Sequence, residues 1–577
     1  MIKKQFIFLF FLIFSSVYLY AQSEITYWED TDSTKKSESN YKNGMQDGRF
    51  ALWYKNGQLA KEFFFKRGKE NGAWKSFYDN GKLKSQENYS NGKKEGQWTY
   101  LFINGDTLQK SFYKNDQEDS TWKIGFENGK TRAIEHFKNG KKEGKWQYWY
   151  DNGEPQSEGF FKKDSTDGSF KAWFRDGKKY KEGTYNNGAE TGTWKEWYAT
   201  GNLKQELDYR ADGIYLMNYF DETGNQIIKN GNGKFTIVDG HGNKVGEGNY
   251  QDGKQNGTWT FWHPNGKKDY EITYQNGKKN GACTIWFENG QIKSEGPYQN
   301  DKKDGDWIWY NDDGKKDMEG TLKDDNREGK WDYWYATGEK ESEGFYKNDR
   351  QDSVWTYWYK GGAKWREGNY KNDLKEGEWN VWYENGKQLQ QGSYVAGQEQ
   401  GFWKSWYESG QEKDEGSFKN GMMNGAWKSW YDSGIMSYSG DYLDNIKDGH
   451  WKTFYENGKP TEEGDYKEGK KEGHWKYWFK AGNEDSEGDY KNELPNGVWT
   501  YFYETGVKFL EQHFSDGKLD GKSTMWYPDS KLQSISNYTI VTESGRKNSK
   551  PDGDWIYYDK NGNVTLKVKY KKGEKVF

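Results

Sequence analysis

Six histidines and a single cysteine are the sparse part of this 577-residue chain's reactive inventory; its 90 acidic residues are the abundant part. The histidines are His136, His241, His263, His450, His474 and His513, and none has the H-E-x-x-H spacing of a zinc site. His450 and His474 share one phase of a 24-residue period. On paired strands that phase puts them about 9.6 Å apart, whereas two ligands of one zinc each lie about 2 Å from the metal. Cys283 stands alone, so no intrachain disulfide or cysteine cluster can form. The stretch Asp516-Gly517-Lys518-Leu519-Asp520-Gly521-Lys522-Ser523 looks like a phosphate loop but has one residue too few between its glycines, and no helix follows to hold a phosphate. Carboxylates recur in two phases, one through Glu95, Glu143, Glu328, Glu376 and Glu472, the other through Glu158, Glu343, Glu367, Glu415 and Glu487. Glycoside hydrolysis needs one distinctive pair; a carboxylate in nearly every period reads as a solvated row balanced by neighbouring lysines. No G-x-S-x-G elbow is present. The reading is a protein that is not an enzyme and holds no metal or cofactor.

The aromatic residues carry the stronger pattern. Trp, Tyr and Phe make up 19% of the chain against 32% for all hydrophobic residues, so any interior must be built of rings, each covering roughly 150–250 Å². One aromatic phase runs Phe50, Trp74, Trp98, Trp122, Trp146, Phe170, Trp194, and resumes as Phe235 and Trp259. It continues in steps of 24 through Cys283 and Trp307 to Trp499 and Ser523, with Trp555 closing the series. A second column stands three residues on, at Trp149, Trp173, Trp197, Trp334, Trp358, Trp382, Trp406, Trp430 and Trp478. The first column is the expected core. The second points to the opposite face of a strand unless a bulge intervenes, and is the candidate binding surface, since exposed apolar patches mark contact sites.

The elements that position these columns are hairpins. Asn139 to Gly153 reads N-G-K-K-x-G-x-W-x-x-W-Y-x-N-G. W-x-x-W-Y is a strand of β-favouring aromatics, and Asn-Gly on either side supplies the left-handed backbone of a tight turn. Glycine and turn residues recur too often for any helical period to survive. The count is 22 units. Charge is balanced, 86 basic against 90 acidic residues, which leaves no basic footprint for nucleic acid.

The run G-x-Y-K-N-G-K-K-x-G-x-W resembles the MORN repeat (membrane occupation and recognition nexus) in its bacterial variant with W-x-x-W-Y-x-N-G. Gly392 to Tyr394, Gly416 to Phe418 with Asn420-Gly421, and Asp465-Tyr466 through Gly469 and Gly473 to Trp475 carry the resemblance, which extends over about residues 41–562. It implies an elongated, twisted, solenoid-like array of antiparallel β-hairpins. It also implies use as a scaffold or protein-binding surface, with lipid binding proposed for some members and an antitoxin label on others.

Lys3 and Lys4 before the apolar run Phe6 to Tyr20, with Ala21 at the cut, read as a secretory signal. Export disfavours an antitoxin-like inhibitor, which must meet its toxin in the cytoplasm. The chain divides into a signal peptide at 1–21, an N-terminal cap or linker at 22–40, and a first repeat block at 41–210. A degenerate unit at 211–234 and a second block at 235–532 follow, then a loop insertion at 533–550 and a last repeat with C-terminal cap at 551–577. The functional expectation is a secreted or periplasmic scaffold for a protein partner, the alternative being a cell-envelope glycan- or lipid-binding module. Oligomeric state is not legible.

Overall fold

The computed structural model describes residues 22–29 and 33–577; the signal segment 1–21 lies outside them. Every regular element among the described residues is a β-strand, as the aromatic and glycine pattern requires. The strands fall into two sheets, one from Gln22–Tyr27 to Gln226–Ile228 and one from Gly233–Val238 to Glu574–Val576. By compactness the chain divides into two units, residues 1–260 with 274–278, and residues 261–273 with 279–577.

The repeat at Asn326–Trp334 and Lys340–Lys347 shows how the sequence sets the register. Trp331 pairs with Gly344 and Tyr333 with Ser342, but Trp334 pairs with Lys340. The partner strand thus carries one extra residue, Glu341, opposite the second tryptophan. This bulge recurs in hairpin after hairpin and adds local twist.

The two Asn-Gly turns prove different. Between units, Asn139 and Gly140 have φ of 52° and 75°, the two-residue left-handed turn that matches strand twist. Within a unit the turn is longer: Tyr150 N–H donates to the Glu154 carbonyl at 2.9 Å, and only Gly153 is left-handed. Asn152 there uses its side chain instead. Its Oδ1 accepts from Glu154 N at 3.0 Å, and its Nδ2 donates to the Arg175 carbonyl at 2.8 Å. Asn56, Asn104, Asn128, Asn289, Asn385 and Asn457 likewise donate to a carbonyl 23 residues on.

The glycine two residues before the first tryptophan is also left-handed, as at Gly144 (φ 86°) and Gly377 (φ 67°). It curls the strand, so that Lys142 Nζ lies 4.3 Å from the Trp146 ring centre and Lys471 Nζ 4.0 Å from that of Trp475.

The stretch 533–550, expected as a loop, is instead a lengthened hairpin. Leu532–Glu543 pairs with Arg546–Pro551 across a turn at Ser544-Gly545; the β-branched and aromatic Ile535, Tyr538, Thr539, Ile540 and Val541 favour a strand over a coil. The degenerate stretch also pairs: Leu203–Arg210 with Gly213–Phe220, and the latter with Gln226–Ile228.

Candidate binding surface

The first tryptophan column is the core. From Trp98 to Trp499 its tryptophans are all buried, Trp194, Trp259, Trp307 and Trp475 completely. Each alternates with the ring of the G-x-Tyr/Phe position, giving a herringbone. Tyr346, Trp355, Tyr370, Trp379, Tyr394 and Trp403 follow one another at centroid spacings of 5.1–6.3 Å, each edge-to-face contact adding about 0.5–1.5 kcal/mol beyond area burial. The indole N–H also finds a carbonyl, Trp403 apart: Trp355 donates to that of Phe345 at 3.0 Å and Trp379 to that of Asn369 at 3.0 Å.

The glycine of E-G lies beneath the ring. A Cβ on Gly344 would sit 2.1 Å from Trp355 Cδ2, and one on Gly392 2.0 Å from Trp403 Cδ2. With glycine eleven residues before it, the tryptophan meets its neighbouring ring nearly at right angles, 85° and 88° at Trp355. Trp98, with Glu87 in that place, tilts to 56° and 57°. Where Cys283 replaces the tryptophan, Ile272 replaces the glycine, and both are buried; burial pushes the Cys283 thiol up to about 11.

The second column lies on the other face, with all nine candidates half-buried. Trp149, Trp173 and Trp197 belong to the first unit, and Trp334, Trp358, Trp382, Trp406, Trp430 and Trp478 to the second. A lysine eighteen residues earlier stands over four of these rings, at 5.0–5.5 Å: Lys179 on Trp197, Lys316 on Trp334, Lys340 on Trp358 and Lys364 on Trp382. Ion pairs run beside the rings. Lys404 Nζ lies 2.9 Å from Glu412 and 3.1 Å from Glu415, and Lys428 reaches the same Glu415 at 3.1 Å. Burial works against the Glu343 carboxylate, but contacts with Lys340 and Lys330 hold it below the usual range.

The tyrosine after the second tryptophan was missed as a functional position in the sequence. Its hydroxyl donates to the carbonyl at the second-tryptophan position of the next repeat: Tyr335 to Trp358 at 2.7 Å, Tyr359 to Trp382 at 2.9 Å, Tyr383 to Trp406 at 2.8 Å and Tyr407 to Trp430 at 2.9 Å. Where it is tyrosine it clasps a repeat to its successor; Phe102, Phe126, Phe174 and Phe479 hold the same place without a hydroxyl. The signal was its recurrence in W-Y-x-N-G.

The two carboxylate phases separate. Glu158, Glu343, Glu367, Glu415 and Glu487 are the expected lysine-balanced row, paired at 2.8–3.1 Å with Lys145, Lys330, Lys364, Lys404 and Lys476. Glu95, Glu143, Glu328, Glu376 and Glu472 are not. They accept backbone N–H groups of the next turn at 2.7–2.9 Å, from Asn115, Lys163, Asn348, Ala396 and Asn492, because the two-residue turn leaves that donor facing them. His450 is held by Asp465 at 2.8 Å and Glu463 at 3.2 Å, and His474 by Asp489 at 3.0 Å and Glu487 at 3.4 Å. Among the described residues no group of three or more His, Cys, Asp or Glu is placed to hold a metal. Asp516-Gly517, in the phosphate-loop lookalike, is a left-handed hairpin turn, with φ of 46° and 75°.

Among solved structures the chain is similar to TcdB2-TccC3 without its hypervariable C-terminal region, at 9% identity and TM-score 0.12, over 96% of this chain and 34% of that one. It is similar also to the Photorhabdus luminescens Tc holotoxin pore, at 8% identity and TM-score 0.11, over 96% and 34%. The chain thus spans about a third of the length of these structures. No curated protein matches it. The MORN repeat variant matches at residues 46–67, 70–91, 142–163, 166–187, 190–211, 255–276, 279–300, 327–348, 375–396, 447–468, 519–539 and 551–572. With a hairpin in each matched segment and the same hairpin between them, the chain belongs to the MORN-repeat family, in the variant form of the repeat.

Proposed function

We propose that the protein is an exported, non-catalytic scaffold that binds a protein partner along the face of the second tryptophan column. The observation that supports this best is the ordering of that face. Trp334, Trp358, Trp382 and Trp406 recur every 24 residues, each half-buried, beside lanes of Lys–Glu pairs. Tryptophan flanked by charge that excludes water is the composition of interface hot spots. The lysine over Trp334, Trp358 and Trp382 obstructs flat stacking by a sugar ring and favours a polypeptide with acidic side chains to meet it. Lys3, Lys4, the apolar run to Tyr20 and Ala21 support export.

The test is affinity capture from envelope and culture extracts on the immobilised chain, followed by titration of the captured protein. One stoichiometric partner should lose at least roughly hundredfold affinity when Trp334, Trp358, Trp382 and Trp406 become Ala. Retention of envelope polysaccharide or lipid with no specific protein defeats the proposal in favour of a glycan- or lipid-binding module.

A further inference from the structure

On the core face, a second lane runs beside the buried tryptophans, two residues after each. Its occupant usually lies against the indole: Tyr100 at 6.5 Å from Trp98, Tyr148 at 6.2 Å from Trp146, Tyr357 at 5.8 Å from Trp355. At Trp74 the lane holds Ser76, and Trp74 is only half-buried where Trp98 through Trp499 are sealed. The missing ring leaves a cleft of about 410 Å³. Phe63, Trp74 and Tyr100 give its aromatic walls, and Ser76, Ser85 and Glu87 its polar side. Ser76 and Ser85 share a hydrogen bond of 2.6 Å, and Tyr100 Oη donates to Glu87 at 3.1 Å.

A related cleft lies in the other unit. Ser405 interrupts the lane beside a cleft of about 290 Å³ lined by Trp403, Trp427, Tyr438, Gln390 and Asp414, where the two indoles are buried and Tyr438 is the half-buried ring. Ser405 Oγ donates to Asp414 at 3.0 Å. Trp403 Nε1 is here left without a hydrogen-bond partner, whereas the same group of Trp379 and Trp427 donates to a carbonyl ten residues back.

We propose that each cleft is a carbohydrate subsite taking one pyranose ring, independently of the protein-binding face above. Aromatic walls accept the C–H face of a sugar, while serine hydroxyls, a carboxylate and an amide match its hydroxyls as donors and acceptors. A wholly apolar ligand would desolvate Glu87 or Asp414 without replacing their hydrogen bonds. A cation would meet Lys61, Lys75 and Lys84 among the lining of the first cleft.

The test is saturation-transfer NMR and calorimetry on the full chain with methyl glucoside, methyl galactoside and N-acetylglucosamine, with tetramethylammonium as the competing probe. At least one pyranoside should receive saturation and bind with a dissociation constant on the order of 1 mM. Ser76→Tyr and Ser405→Tyr, which place in the lane the ring that Tyr100 and Tyr357 already hold there, should each remove one site. Together they should lower affinity at least roughly tenfold with the thermal midpoint unchanged; Ser76→Ile, after Ile124, serves if the tyrosine variant fails to fold. The inference is overturned if no pyranoside receives saturation at roughly twenty times that concentration, if binding survives the double variant, or if only tetramethylammonium binds. Loss of the protein partner in the tryptophan variants would leave this result untouched.

Discussion

Gly344→Ala separates packing from backbone freedom more sharply than any other single change. Gly344 sits in a strand with no left-handed backbone, and alanine at such a position ordinarily stabilises by about 0.5–1 kcal/mol. Here the added methyl would lie 2.1 Å from Trp355 Cδ2 and 2.3 Å from Cε2, so the indole must move by more than an ångström. Trp98 over Glu87 shows where it goes: the ring rotates from near 85° to near 56° against its neighbours. Overpacking of this kind costs about 1–3 kcal/mol, which outweighs the backbone gain and leaves a net loss of about 1–2 kcal/mol. Repeat arrays do not unfold as one cooperative unit, so the readout is local: amide exchange in Lys340–Lys347 and Arg350–Trp358, alongside the denaturation midpoint. Gly361→Ala is the control, since its Cβ meets only Glu384 Oε1 at 3.7 Å with no positive φ, and it should be neutral or stabilising. Equal or higher protection in Gly344→Ala would refute the account. The double change Gly344→Ile with Trp355→Cys, copying Ile272 and Cys283, should recover at least about 1 kcal/mol relative to Trp355→Cys alone.

Tyr383→Phe removes the 2.8 Å clasp to the Trp406 carbonyl and should cost about 0.5–1.5 kcal/mol, seen as faster exchange at the boundary between those two repeats only. Ser353 holds φ 57° where its counterparts, Ser120 apart, are glycine, so Ser353→Gly should raise stability by about 1 kcal/mol in denaturant titration. The hydrogen bond that the His450 imidazolium donates to Asp465 raises the imidazole above its ordinary value. Its stabilisation is therefore complete below a pH of about 6.5 and lost as pH rises through the folded value; an NMR titration should show the raised midpoint, and Asp465→Asn should lower it. Cys283, buried and with its thiol pushed up to about 11, should resist iodoacetamide at a pH of about 8 in the folded chain and react once the chain is unfolded.

The architecture was legible because its signals are local. The 24-residue phase of Trp146 and Trp149, glycine at fixed offsets and the absence of a helical period are enough to dictate hairpins, and the aromatic share of the composition dictates a core of rings. The binding face was legible only in part. Side-chain alternation placed Trp358 opposite Trp355, but the lysine that covers it, Lys340, comes from the preceding hairpin. Such a contact depends on how successive hairpins are offset, which a bulge opposite every second tryptophan decides. The role of Glu143 was misjudged for the same reason: its partner is an N–H at Lys163, in the next turn rather than on its own strand.

One long-range packing rule was nevertheless written in the sequence. Glycine eleven residues before tryptophan at 344 and 355, 368 and 379, and 392 and 403 gives way to Ile272 with Cys283 and to Gln512 with Ser523. In the second unit the pair thus balances volume across two strands, as close packing demands, whereas in the first Phe63 and Glu87 stand before full tryptophans, Trp74 and Trp98. Positions that vary less have a comparable explanation. The clasp tyrosine and the Asn that caps the next turn each satisfy a backbone carbonyl of the following repeat, so changing one removes that group's side-chain partner. The lane two residues after the first tryptophan carries no such duty. It runs Leu52, Ser76, Tyr100, Ile124, Tyr148, Ala172 in the first unit and Tyr357, Val381, Ser405, Ser429, Thr453, Tyr477 in the second, and clefts open beside two of its small residues, Ser76 and Ser405. An array of this kind fixes its fold with the residues it repeats and distinguishes one repeat from another with the residues it does not. The search for specificity therefore belongs at Ser76 and Ser405, where the lane shrinks next to a tryptophan and a carboxylate.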